Sequence, residues 1–494
     1  MHPRVHTQQG DVEGRVQDGI VRFFGLPFAQ PPVGDLRWRP PAPPQGWDGV
    51  RVATQFGPAC PQTIPAMFNL RTAEQSEDCL YLNIWSPELG RGTRQPVMVW
   101  IHGGGYLYGA GSEDGFDGGR LASRGITIVT VNYRLGAFGF AAHPAIGANF
   151  AILDHIAALT WVAENIEAFG GDPHNVTVFG QSAGALSVRS LLSAPKARGL
   201  FHRAIMQSGG GEPIACAPTT DKAPPKAVTA TAELFDRLGG ADLTTLRHIP
   251  TARITALSHV LSAAVPPAGQ VHSPANLVWT PVADNDVLST TDFPGASTEL
   301  PIMLGCVANE ARYFIKPSGA YPDAIVGRMA QALADTQADN VLAELRSHEL
   351  TTYEALDRLF TTAIFVEPAL AALCRFSRVG HPVYYYQFDR VSPGGRRTGE
   401  LAKHTSDIRY VFGNLNPADD YDQTDRVVSN AMQSAWAAFA RSGVPVSESI
   451  WPRFDPSEPK LSVIADTIRT RPLTTTRLTE IIAAQRPDLV GTMA

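Results

Sequence analysis

The chain has 494 residues, 44% of them hydrophobic and 18% charged, which is apolar material enough for one large core. Its 41 Lys+Arg against 47 Asp+Glu leave a net charge of −6 with no basic block, so composition argues against a nucleic-acid partner. Cys60, Cys79, Cys216, Cys306 and Cys374 show no C-x-x-C spacing, which speaks against a zinc site or a redox dithiol.

In chain order, the first ten residues lack the apolar stretch of an export signal, so a cytoplasmic protein is the expectation. The apolar runs that follow are too short to span a bilayer, and no stable membrane insertion is expected. Pro31-Pro32, Pro40-Pro41 and Pro43-Pro44 mark an extended segment that hugs the surface. Residues 97–101 (VMVWI) and 126–131 (ITIVTV) are apolar and β-branched, as in strands buried on both faces. From 151 to 169, Ile152, Ile156, Leu159, Val162 and Ile166 recur at spacings of three and four, the stripe of an amphipathic helix. Residues 175–179, 203–207, 301–304 and 383–388 again read as strands. Strands alternating with helices predict an α/β fold with a mostly parallel central sheet flanked by helices. We read one domain over 1–494, with a helical, cap-like insertion around 216–280 that is rich in Pro, Ala and Thr.

The chemistry starts where the 175–179 strand runs into Gly180-Gln181-Ser182-Ala183-Gly184. Glycines on both sides of a serine permit a sharp strand-to-helix turn that a Cβ would obstruct, and the turn lifts the hydroxyl above the sheet. The helix that follows aims its first amides at the same spot. Upstream, His102-Gly103-Gly104-Gly105-Tyr106 follows the 97–101 strand. Three glycines in a row cost backbone entropy, and their free amides suit a carbonyl oxygen that becomes an oxyanion. A phosphate loop would need a Lys-Ser/Thr pair where Tyr106-Leu107 stands. A serine nucleophile needs an imidazole base held by a carboxylate, but 13 His and many acids leave both partners open at this point.

These motifs together resemble the type-B carboxylesterases, an α/β-hydrolase family that includes bacterial para-nitrobenzyl esterases and the cholinesterases. The resemblance is carried by 169–184 (FGGDPHNVTVFGQSAG), 77–85 (EDCLYLNIW), the segments at 24–29 and 31–34, and Asn132-Tyr133-Arg134-Leu135-Gly136; it runs to Trp451-Pro452. It implies an α/β-hydrolase fold and a serine carboxylic-ester hydrolase without cofactor or metal. It also implies Ser182 as nucleophile, Glu310 in Gly305-Cys306-Val307-Ala308-Asn309-Glu310 as the acid, and His404 in Lys403-His404-Thr405-Ser406-Asp407 as the base. The family usually has Gly after the acid, and Ala311 departs from that. By the same resemblance Gly104, Gly105 and Ala183 supply the oxyanion amides, while Ser208 and Asp407 hold the acid and the histidine. Gln181, where cholinesterases carry Glu, and Tyr106 are expected to border the substrate pocket. The family often closes a disulfide at the positions of Cys60 and Cys79, although a cytoplasmic protein keeps such thiols reduced.

The expected partner is a small-molecule ester with a small-to-medium acyl or aryl group, carbamates included, and the expected assembly is a monomer or weak oligomer. Two other readings stay open: a lid-gated lipase, and a non-catalytic adhesion-type relative. The retained triad speaks against the second.

Overall fold

In the computed structural model, residues 2–64, 70–72, 74–90, 92–211, 225–240, 242–262, 276–284, 286–289, 299–317, 319 and 321–485 are described. Strands β1 (Arg4–Thr7), β2 (Gly10–Glu13) and β5 (Val50–Val52) form a small sheet at the N-terminus. Among the described residues the main sheet has eleven strands. They are β3 (Arg15–Gln17), β4 (Ile20–Pro27), β6 (Tyr81–Ser86), β7 (Gln95–Ile101), β8 (Thr127–Val131), β9 (Gly171–Gln181) and β10 (Arg203–Gln207), followed by β11 (Ile302–Val307), β12 (Val383–Phe388), β13 (Lys460–Ile464) and β14 (Ile468–Pro472). Their order is β14-β13-β12-β11-β10-β9-β7-β8-β6-β4-β3. Every pairing from β8 to β13 is parallel, and antiparallel pairs close both flanks.

The burial of both faces explains the unbroken apolar runs. Along β7, Val97, Val99 and Ile101 join the core that holds the helix Phe150–Asn165, whereas Met98 and Trp100 join the opposite core with the helix Gln423–Ser442. Period-2 alternation therefore sorts side chains between two layers, not between core and water. The apolar stripe read at 151–169 is the helix Phe150–Asn165 plus a 3₁₀ turn, Ile166–Phe169, which ends at Gly170 in the left-handed region at φ 86°. Among the described residues one helical run, Thr352–Arg378, is long and apolar enough to cross a membrane, but most of it is buried inside the protein.

Between β10 and β11 the described part of the expected insertion is helical: Lys226–Arg237, Leu243–Arg247 and Thr251–Leu261. Cys216 lies outside the described residues. Cys60 and Cys79, the two positions at which the family often closes a disulfide, are buried free cysteines in this structure. The Cys60 sulfur accepts the Leu135 N–H at 3.2 Å.

The sheet positions the site by a simple device. The triple-glycine loop leaves the C-terminal end of β7, the Ser182 turn leaves β9, Ser208 follows β10, and Glu310 follows β11. Ligands of open parallel sheets bind outside these carboxyl ends.

Candidate active site

β9 ends at Gln181, and the helix Ala183–Leu192 begins one residue after Ser182. Ser182 itself takes a positive φ of 55° with ψ −124°, outside the regions open to most residues, while its N–H is held by the Gln207 carbonyl at 2.9 Å. A non-glycine residue in that region is strained and persists only where the surroundings fix it. The flanking glycines serve space and not backbone freedom. A Cβ on Gly184 would lie 2.0 Å from the Ile101 carbonyl oxygen, and one on Gly180 would lie 2.5 Å from the Gly184 carbonyl carbon. The elbow is thus pressed against the end of β7.

Glu310 is fully buried at the start of the 3₁₀ turn Glu310–Tyr313. Its Oε1 accepts the Val307 N–H at 2.9 Å, and its Oε2 accepts from His404 Nδ1 at 2.5 Å. The Asn309 N–H donates to the Ala402 carbonyl at 3.0 Å, which ties the acid loop to the histidine loop. The His404 ring is packed among Phe365, Phe314 and Tyr313, with centroids 4.9, 5.3 and 5.7 Å away. Because Nδ1 faces a carboxylate it carries the proton, which leaves a lone pair on Nε2. In the resting arrangement the Gln181 side-chain amide lies at that lone pair, 3.0 Å away, instead of the Ser182 hydroxyl. Ala311, the departure from the family pattern, is accommodated: it is buried, and its N–H donates to Thr361 Oγ1 at 3.2 Å.

The triple-glycine loop borders the same space. Gly104 and Gly105 have φ 101° and 60°, and a Cβ on Gly104 would meet the Tyr108 carbonyl oxygen at 1.9 Å. The Gly104 carbonyl accepts from Leu107 and Tyr108, at 3.0 and 3.2 Å, so it points into its own turn. The preceding residue is anchored from below, since Tyr133 Oη donates to the His102 carbonyl at 2.9 Å. Ala183, the first residue of the elbow helix, lines the cleft with both glycines.

Gly103–Gly105, Gln181, Ser182, Ala183, Ser208 and His404 line one open cleft of about 580 Å³. The sequence-derived residues are therefore brought together, with three corrections of detail. Tyr106 does not border the cleft. At φ 64° the chain reverses just after Gly105, and the ring turns into the core against Phe140, 4.4 Å between centroids. Ser208 lines the cleft, but its buried Oγ has no hydrogen-bond partner among the described residues, so it holds neither Glu310 nor His404. Asp407 is buried beside the pair without touching it. Its Oδ2 accepts from Tyr386 Oη at 2.8 Å and from Gln207 Nε2 at 2.9 Å. Burial pushes the Asp407 carboxyl up to about 6, against the pull of these two donors.

Sequence reasoning missed the cleft's aromatic wall of Tyr313, Phe314 and Phe365, together with Leu186, Leu277 and Glu113. A signal existed for the first two: they follow Glu310 by three and four residues, one short turn further on. Gln207 and Tyr386, which grip Asp407, sit on β10 and β12 and carry no local motif.

Comparison with known proteins agrees with this geometry. Residues 1–480 match the model of the "Carboxylesterase family". The chain is 37% identical to the fumonisin B1 esterase of Sphingopyxis macrogoltabida over 478 residues, covering 91% of this chain and 84% of that protein. It is 35% identical to the para-nitrobenzyl esterase of Bacillus subtilis (strain 168), covering 92% and 93%. A solved PNB esterase structure superposes with a TM-score of 0.84 at 32% identity, over 98% of this chain and 100% of that one. The chain belongs to the carboxylesterase family and is a carboxylic-ester hydrolase.

Proposed function

We propose that Ser182 is the nucleophile of a two-step ester hydrolysis, with His404 as general base and Glu310 as the carboxylate that orients it. The single observation that carries this reading is the Glu310–His404 hydrogen bond of 2.5 Å, in the same cleft as a serine held in a strained elbow. As Ser182 Oγ attacks the carbonyl carbon, His404 Nε2 takes its proton, and the Gln181 amide yields that position. Hydrogen bonds of this kind are often absent or long before substrate is bound. The oxyanion that forms is stabilised by the amides of Gly104, Gly105 and Ala183. The imidazolium then protonates the leaving alkoxide, the C–O bond breaks, and the acyl group remains on Ser182. Water attacks the acyl-enzyme with the same base, and Ser182 Oγ leaves with the returned proton.

Tyr313, Phe314, Phe365, Leu186 and Leu277 give the cleft an apolar wall suited to small-to-medium acyl and aryl esters, and to carbamates, which present a similar carbonyl. The likeness to a para-nitrobenzyl esterase, a fumonisin B1 esterase and a phenmedipham hydrolase supports breadth of this kind. Two measurements test the reading. A fluorophosphonate should add its mass to the peptide bearing Ser182, and Ser182→Ala should abolish hydrolysis of para-nitrophenyl esters; an unlabelled Ser182 in folded protein refutes the role. Rates that climb steeply toward long, micellar acyl chains would favour the lipase alternative.

A further inference from the structure

We propose that the neutral amide of Gln181, donated to the ring of the general base in the free enzyme, sets how far into acid the esterase keeps working; the inference rests on the role of His404 proposed above and adds a positioning residue to the same site.

The seat of this amide is built from three parts of the cleft. Gln181 ends β9, next to Ser182, and is only 1% exposed. On one side stands Gly103, the first glycine of the triple run. Unlike Gly104 and Gly105 it is not in the left-handed region, so backbone freedom does not explain it. Space does. A Cβ on Gly103 would lie 3.0 Å from Gln181 Oε1, 2.8 Å from the Gln181 carbonyl oxygen and 3.2 Å from Ser182 Cβ. On the other side is the base, with Gln181 Nε2 3.0 Å from His404 Nε2 and 3.4 Å from His404 Nδ1. His404 Nδ1 already donates to Glu310 Oε2 at 2.5 Å, so Nε2 is the acceptor of the ring. The side-chain NH₂ of Gln181, and not its oxygen, therefore faces the imidazole.

The sign of the effect follows from that orientation. An N–H at the lone pair serves the neutral ring, and it must turn away before a proton can bind there. A carboxylate in the same place would accept from the protonated ring and keep the proton on it. Acid already surrounds the base. Glu310 holds Nδ1, and Asp407 lies behind the pair, bound to Tyr386 and Gln207 and within electrostatic reach of both Glu310 and His404. Tyr313, Phe314 and Phe365 pack on the ring, and Lys403, the preceding residue, is paired with Glu400 at 2.6 Å. Two carboxyl groups thus favour an imidazolium, which cannot act as base. The amide at position 181 is the neighbour that works against it.

The test is the pH dependence of kcat/KM for para-nitrophenyl butyrate, which reports the free enzyme, from about pH 5 to about pH 9 in wild type, Gln181→Met and Gln181→Glu. Met keeps the length of the side chain without a donor, and Glu puts an acceptor and a charge in its place. The acid limb should move to higher pH by about half a unit in Gln181→Met and by about one unit or more in Gln181→Glu. Asp407, pushed up to about 6 by burial, titrates within this range, but it does so in all three proteins, so the difference between the profiles belongs to position 181. A purely structural role would lower the plateau or the melting temperature and leave the limb in place. A limb unmoved, or moved to lower pH, in either folded variant overturns the assignment and leaves the triad standing. Gln181→Met decides alone if the buried carboxylate of Gln181→Glu prevents folding. A wild-type profile without an acid limb overturns the general base and this inference together.

Discussion

His404 and His155 are equally buried, each 1% exposed, yet they stand in opposite chemical positions. His404 lies at the cleft with Nδ1 on Glu310 and Nε2 turned to an amide that can be displaced. His155 lies on the helix Phe150–Asn165, edge-on to Tyr133 at 4.6 Å, and neither ring nitrogen has a hydrogen-bond partner among the described residues. Burial pushes His155 down to about 3, and His102, stacked on the other side of Tyr133, down to about 4. Burial by itself makes a histidine inert by forbidding its charge. In the proposed mechanism, a buried carboxylate on one nitrogen and a displaceable partner at the other are what make the imidazole a base.

The contrast breaks first if the carboxylate is removed. Glu310→Gln keeps size and burial but loses the charge that, in the proposed mechanism, fixes the His404 tautomer and stabilises the imidazolium. Turnover of para-nitrophenyl butyrate should fall by about 10⁴-fold with the melting temperature nearly unchanged. A loss below tenfold in folded protein would mean that His404 works without an orienting acid. The triple-glycine loop, proposed to hold the oxyanion, gives the next largest effect. Gly104→Ala would place a Cβ 1.9 Å from the Tyr108 carbonyl oxygen at φ 101°, so the loop must move. We expect a fall of about 10²–10³ in kcat. A change confined to KM would show that these amides do not serve the transition state.

The two histidines also mark how much the sequence discloses. The sheet was legible because β7 and β8 are buried on both faces and read as unbroken apolar runs. The strands at 203–207 and 383–388 were read with their observed limits. Ser182, Glu310 and His404 stood in long motifs whose resemblance to a known family placed them, whereas nothing in the periodicity around either histidine told His404 from His155. Tyr106 was misread because one backbone reversal decides whether a ring enters the cleft or the core, and no local pattern encodes that reversal. Ser208 was placed in the right cleft with a contact it does not make. Asp407 was placed beside the pair, but its donors come from two distant strands and became visible only when the sheet was assembled.

The smallest effect concerns stability. Folded, His155 resists protonation until about pH 3, whereas in the unfolded chain it takes a proton near its ordinary 6.5. The unfolded state therefore binds more protons between these values. The stabilising contribution is complete above about pH 6.5 and is lost progressively as pH falls toward 3. At pH 5 the cost is about 2 kcal/mol, taking about 1.4 kcal/mol for each pH unit below 6.5. His155→Phe removes the titration and the two unpaired nitrogens while keeping an aromatic ring against Tyr133. Its melting temperature should exceed that of wild type by a few degrees more at pH 5 than at pH 8. The remaining acid sensitivity belongs to His102, which both proteins keep. An equal difference at the two pH values would mean that the His155 ring is protonated as easily inside the fold as outside it, and burial would then not be what separates it from His404.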